Sequence, residues 1–406
     1  MSAAVVAVLL ALLPARKPSS AEEVEALVAR AFEAPEAERS AILGKLRALP
    51  PLKPAEAREW TARLLKLARR GPVSPLEREN FLYDEEAKKG RYLVQGKGRA
   101  LLIGLHGGGG GVGDAGNAQS QWGGSLRGLM GVFPEVTEKS GDAWGTDREE
   151  AFVLDLLETL KRTVRIDTNR VYLVGHSMGG FGAWTIGARN ADLFAGIAPF
   201  AGAITPQYDP AGKIVGLPDG LLPNLRNVAV WVYHSLDDPR VKVDANQYAV
   251  ARLGELSAKY GGFEHVYDEQ DKRGHGLPAK GCGPAVEWLA KHRRDPRPKK
   301  VVWEPRSARK RMFYWLARTG VPSGRIAADV RGPNHIAVEV APGAESGWAV
   351  LLDQRLVDLA REVRIDVNGE ERFRGVPPLT LAALVESVLE RRDPELVFPA
   401  RIELKR

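Results

Sequence analysis

The sequence predicts an α/β fold: a mostly parallel sheet with helices on both faces, a small N-terminal helical segment before it, and a β-rich C-terminal domain after it. Three observations carry this. From Arg91 onward strand-like and helix-like stretches alternate, the pattern of strands joined by crossover helices. The turn Gly175-His176-Ser177-Met178-Gly179 stands between an apolar strand and a small-residue helix. After Pro296-Arg297-Pro298 the alternation stops and short strands recur at near-regular spacing.

Residues 1–18 open on an apolar stretch too short to span a bilayer but with the length of a signal-peptide core. A positive segment ahead of it is missing, and Leu13 fits poorly with cleavage near Ala15. The reading is nevertheless an exported protein, secreted or periplasmic, and no later stretch could cross a membrane. Residues 19–90 form a helical segment. Ser20 and Glu23 make a capping box, with Val24, Leu27, Val28, Ala31 and Phe32 on one face. Ile42, Leu43, Leu46 and Leu49 mark a second helix, stopped by Pro50-Pro51. A third starts at Pro54 and carries Trp60, Leu64, Leu67 and Ala68. The segment is expected to dock on the domain that follows.

That domain spans residues 91–295. Strands are predicted at 91–94, 100–105, 131–134, 170–174, 194–200, 228–234 and 263–267, and a helix at 149–164. Residues 111–128, with Asn117, Gln121 and Trp122, read as a loop over a pocket, and Trp144 as a core residue. In the domain at 296–406, strands are expected at 313–316, 325–330, 335–340, 348–352, 363–367 and 371–373. Asn368-Gly369 reads as a hairpin turn, with a helix at 379–391 and a closing strand at 401–404. No catalytic signature stands in this part.

Composition limits the partners. With 44% hydrophobic and 27% charged residues the chain is an ordinary globular protein. Its net charge of +7 arises from 58 basic and 51 acidic residues that are mostly interspersed, so no nucleic-acid partner is expected. The exception is the run from Arg293 to Lys300, continued by Arg306, Arg309, Lys310 and Arg311, which reads as a solvated linker. Cys282 is the sole cysteine, so no intrachain disulfide exists. No metal or organic cofactor is expected: no histidine pair stands at ligand spacing, and phosphate-loop and dinucleotide fingerprints are missing.

Chemistry concentrates at four places. A G-x-S-x-G between strand and helix lifts a serine hydroxyl clear of the sheet, its glycines removing Cβ atoms where the chain turns sharply. Ser177 is thus the candidate nucleophile, and the Met178 N–H points at the oxygen of an attacked carbonyl. The strand Leu101-Leu102-Ile103-Gly104-Leu105-His106 runs into five glycines, and Gly107 and Gly108 are the candidate second half of that oxyanion hole. The base should follow the last strand. His275, flanked by Gly274 and Gly276, fits; His265 lies within a strand and His292 in a basic tail. The strand ending at His234 leads into Ser235-Leu236-Asp237-Asp238-Pro239-Arg240-Val241, where Asp238 is the candidate acid and Asp237 a loop cap.

The order Ser177, Asp238, His275, each after a strand, resembles the α/β-hydrolase superfamily. His234 to Val241 resembles its H-G-x-x-D-x-x-V pattern, with Ser235 in place of the glycine. Residues 166–184 resemble the D-x-N-R-V-Y-x-x-G-x-S-x-G-G signature of secreted bacterial esterases related to dienelactone hydrolase, polyhydroxybutyrate depolymerase and the prolyl oligopeptidase catalytic domain. Dienelactone hydrolases use a cysteine nucleophile, so Ser177 points to the serine esterase branch. The resemblance covers about residues 91–295. It implies an α/β-hydrolase fold and a serine hydrolase that cleaves a small-molecule or polymer-attached acyl ester through an acyl-enzyme. Two rivals are a serine peptidase of the prolyl oligopeptidase type, whose large N-terminal propeller has no counterpart here, and a non-catalytic binding protein on the same scaffold.

Overall fold

The computed structural model describes residues 20–69, 79–82, 90–108, 112–137, 139, 143–218, 221–306, 309–319, 324–341 and 347–404. The leader expected at residues 1–18 lies outside them. Three helices open the described chain: α1 (Ala21–Glu33), α2 (Glu36–Arg47) and α3 (Pro54–Ala68). Ser20 Oγ accepts the Glu23 N–H at 3.2 Å, the N-cap half of the predicted box. Next come β1 (Glu79–Leu82), β2 (Gly90–Gln95), β3 (Leu101–Leu105), α4 (Ala115–Trp122), β4 (Met130–Pro134), α5 (Asp147–Thr163), β5 (Val171–His176), α6 (Met178–Arg189) and β6 (Gly196–Phe200). A small hairpin of β7 (Gln207–Tyr208) and β8 (Ile214–Gly216) precedes β9 (Ala229–Ser235), α7 (Asp244–Tyr260), β10 (His265–Gln270) and α8 (Gly283–Leu289).

Eight strands form one sheet in the order β1-β2-β4-β3-β5-β6-β9-β10. The first two pairings are antiparallel and every one from β4 to β10 is parallel. Every residue of β3, β4, β5 and β6 is buried, as strands covered on both faces require. One correction falls here. Residues 111–128 are not simply a loop, because they contain α4. The Asp114 carboxylate caps it by accepting the Asn117 N–H at 2.8 Å, and Ala115, Ala118 and Trp122 form its buried stripe.

The C-terminal part contains β11 (Lys300–Trp303), β12 (Met312–Phe313), β13 (Leu316–Arg318), β14 (Ile326–Val330), β15 (His335–Val340), β16 (Trp348–Leu352), β17 (Val363–Val367), β18 (Glu370–Gly375), α9 (Leu381–Arg391) and β19 (Ala400–Leu404). They build a five-stranded sheet, β11-β14-β15-β17-β18, and a four-stranded one, β12-β13-β16-β19. Asn368 and Gly369, both at positive φ, turn β17 into β18 as predicted. The run Phe313-Tyr314-Trp315-Leu316 is instead the tip of a hairpin, with Tyr314 at φ 49°. Its four side chains are all buried, so hydrophobicity alone read as a strand.

Two further expectations give way. The N-terminal helices pack mainly on α9 rather than on the central sheet: Val28, Ile42, Leu46 and Leu64 share a core with Leu381, Leu384, Val385 and Val388. The basic run after α8 is a solvated linker only in part: Arg293, Lys299, Arg306, Arg309 and Arg311 are exposed, and three others turn inward. Arg294 is buried and pairs with Asp393 at 2.8 Å, Arg297 pairs with Asp353 at 2.6 Å, and Lys310 pairs with Asp192 at 2.5 Å. These charges enter the interior because each meets a carboxylate, most of them far away in sequence.

Candidate active site

Ser177, Asp238 and His275 follow β5, β9 and β10, all at the carboxyl edge of the parallel strands, where open α/β sheets hold their ligands. Ser177 has φ 58° and ψ −123°, a conformation a side chain rarely adopts. The flanking glycines make room for it. A Cβ at Gly175 would stand 2.2 Å from the Gly179 carbonyl oxygen, and one at Gly179 2.2 Å from that of Leu105. The Ser177 N–H donates to Phe200 O at 2.8 Å, and its carbonyl accepts from Gly180 N–H at 2.7 Å, which fixes the turn on both sides.

The three side chains meet. His275 Nε2 lies 2.7 Å from Ser177 Oγ, and His275 Nδ1 lies 2.7 Å from Asp238 Oδ2. Asp238 Oδ1 accepts the N–H groups of Arg240 at 2.8 Å and Val241 at 3.0 Å. Burial opposes charge on this carboxylate, but the hydrogen bonds from His275 and those two amides outweigh it and hold Asp238 below the usual carboxylate range. Asp237 does a different job. Its Oδ1 accepts from Ser235 Oγ at 2.5 Å, Gly274 N–H at 2.9 Å and Arg273 N–H at 3.1 Å, so it ties down the loop that carries His275.

The glycine loop is held beside the serine. A Cβ on Gly107 would stand 3.0 Å from His176 O and 3.3 Å from Ser177 Cβ, and Gly108 has φ 142°. His106 Nε2 accepts the Val136 N–H at 3.1 Å, which puts the ring proton on Nδ1, 2.7 Å from Gly107 O. Trp144 is buried as predicted and donates its Nε1–H to His106 O at 2.9 Å. Met178 opens α6, so its N–H has no carbonyl one turn earlier in the helix to bind.

Sequence reasoning missed the layer behind the acid. His234, with no side-chain exposure, sets Nε2 3.2 Å from Asp238 Oδ2 and 2.9 Å from Val241 O. Asn246, on the first turn of α7, reaches His234 Nδ1 at 2.8 Å, Gly202 O at 2.8 Å and Trp184 Nε1 at 3.0 Å. An asparagine in a first turn reads as ordinary capping chemistry, so nothing in the pattern marked it. His176, the residue before the serine, packs its ring 5.1 Å from that of His275, and burial pushes its imidazole down to about 4. Among the described residues, no group of three His, Cys, Asp or Glu side chains could hold a metal ion.

The family model described as Esterase, putative esterase, matches residues 135–272, a span that includes Ser177 and Asp238 and ends just before His275. The strand order and that match agree on the fold. The chain has an α/β-hydrolase fold. The same match supports a hydrolase acting on esters. Among solved structures, the chain is similar to a thermostable esterase at 23% identity, covering 53% of this chain and 62% of that one, with a TM-score of 0.41. The match to a ferulic acid esterase from Anaeromyces mucronatus has 19% identity, covers 55% and 94%, and has a TM-score of 0.40. For the Bacillus cereus carboxylesterase the values are 16%, 49% and 93%, and 0.38. No curated protein matches the chain. Among the described residues, no helix is long and apolar enough to cross a membrane.

Proposed function

We propose that this protein is a serine carboxylic ester hydrolase in which Ser177 is the nucleophile, His275 the base and Asp238 the acid that orients it. The observation that carries the reading is the continuous chain of two 2.7 Å contacts from Ser177 Oγ through the His275 ring to Asp238 Oδ2. Ser177 Oγ attacks the acyl carbon while His275 Nε2 takes its proton, and Asp238 stabilises the imidazolium that forms. The N–H groups of Met178, Gly107 and Gly108 receive the developing oxyanion. His275 then returns the proton to the leaving alcohol. Water, activated by the same ring, releases the acid and restores the serine. The substrate is a small-molecule or polymer-attached acyl ester, met outside the cytoplasm if the N-terminal stretch acts as an export signal.

The test is labelling by a fluorophosphonate probe together with turnover of p-nitrophenyl acyl esters and aminoacyl anilides. Wild type is expected to label and to prefer esters, and Ser177→Ala to do neither, with kcat lower by roughly 10⁴- to 10⁶-fold. A folded wild type that does not label would overturn the reading. A dominant anilide activity would replace the esterase with a peptidase.

A further inference from the structure

The hydrogen bonds behind Asp238 admit one consistent assignment of protons. Trp184 Nε1 can only donate, so the Asn246 atom it meets at 3.0 Å is the amide oxygen. Gly202 O can only accept, so the atom 2.8 Å from it is the amide nitrogen. Both partners fix the same orientation of this fully buried amide, and its second N–H therefore points at His234 Nδ1, 2.8 Å away. A ring nitrogen that receives an N–H must present its lone pair. The His234 proton accordingly sits on Nε2, facing Val241 O at 2.9 Å and Asp238 Oδ2 at 3.2 Å. The Asp238 carboxylate then has four donors: two amides on Oδ1, and His275 and His234 on Oδ2. Each oxygen is saturated, which leaves the carboxylate no alternative rotation.

We infer that Asn246 is a positioning residue: it fixes His234 as the neutral Nε2–H tautomer, and His234 in turn locks Asp238 Oδ2 onto His275 Nδ1. This rests on the serine hydrolase reading. The same amide also spans the two halves of the site. Trp184 belongs to α6, the helix that starts just after Ser177, while a Cβ on Gly202 would stand 2.5 Å from Ser177 O. Asn246 thus couples the serine turn to the acid loop through three hydrogen bonds, and misplacement of its amide shifts the base relative to the nucleophile without touching substrate.

The experiment uses the full chain, with Asn246→Asp, His234→Gln and His234→Leu. Nitrogen-15 histidine NMR reads the tautomer directly. Wild-type His234 is expected to carry its proton on Nε2 with Nδ1 bare, and Asn246→Asp, whose carboxylate demands a donor, to protonate Nδ1. In p-nitrophenyl acetate turnover, Asn246→Asp and His234→Leu are expected to lose at least about 10-fold in kcat with KM held within about twofold, the signature of an interaction used in the transition state. His234→Gln, which keeps an N–H toward Asp238, is expected to recover most of the rate lost in His234→Leu. Wild-type His234 protonated on Nδ1, or a folded Asn246→Asp with kcat within twofold of wild type, overturns the inference. If Asn246→Asp does not fold, an undiminished His234→Leu overturns it instead. A wild type that fails to react with fluorophosphonate sinks the hydrolase reading, while the NMR still decides the tautomer.

Discussion

Adjacent aspartates with different partners make a sharp test. In Asp238→Asn the new amide is oriented by the backbone: the Arg240 and Val241 N–H groups require an acceptor at the Oδ1 position, so the oxygen stays there. The NH₂ then occupies the Oδ2 position, 2.7 Å from His275 Nδ1. Two donors cannot face each other, and His275 shifts its proton to Nε2, the nitrogen 2.7 Å from Ser177 Oγ. The base is thereby in the wrong tautomer. It also loses the anion that stabilises its imidazolium, worth about 4 kcal/mol for unit charges some 4 Å apart at an effective dielectric of about 20. That alone is about 10³-fold, and the tautomer raises the expected loss in kcat to between about 10³- and 10⁴-fold. Asp237→Asn keeps an acceptor for Ser235, Arg273 and Gly274 and should cost less than about 10-fold. Steady-state kinetics on p-nitrophenyl acetate, with thermal melts to confirm folding, measures both. A folded Asp238→Asn within 10-fold of wild type, or an Asp237→Asn that is equally damaged, would refute the assignment of the two carboxylates.

Two further outcomes are expected. Asp393 is buried against Arg294, and although burial opposes its charge, the guanidinium holds its carboxyl down at about 2. A lowered acid contributes stability above its unfolded pKa near 3.8, here about 2 kcal/mol, and that contribution is lost as pH falls from about 4 to about 2. Asp393→Asn should lower urea-unfolding stability at pH 7 by about 3 kcal/mol, because Arg294 stays buried without its counter-charge, and should flatten the acid dependence; a variant with the wild-type pH slope would contradict this. Gly107→Ala places a methyl 3.0 Å from His176 O and 3.3 Å from Ser177 Cβ, so it should lower kcat by about 10-fold or more with little change in melting temperature. Equal turnover would show that the glycine loop does not serve the oxyanion.

The site was legible where chemistry coincides with local pattern. Ser177, Asp238 and His275 each end a strand or follow one closely, and an apolar run announces a strand without knowledge of its neighbours. Gly107 and Gly108 were legible for the same reason. What stayed hidden depends on contacts distant in sequence. Asn246 acquires its meaning only from His234, Trp184 and Gly202, which other elements deliver. Arg294 and Arg297 looked like solvated charge because their partners, Asp393 and Asp353, are remote along the chain. Phe313 to Leu316 misled in the opposite sense. Full burial of every side chain suits a buried strand and a tightly packed turn equally well, and only the backbone of Tyr314 separates them.

Helices α1 to α3 rest on α9, which follows them far along the chain. During synthesis, Val28, Ile42, Leu46 and Leu64 therefore have no proper seat until α9 has emerged. Until then their apolar faces stay open, so this corner of the molecule can close only after the central sheet that lies between them in the chain has been made.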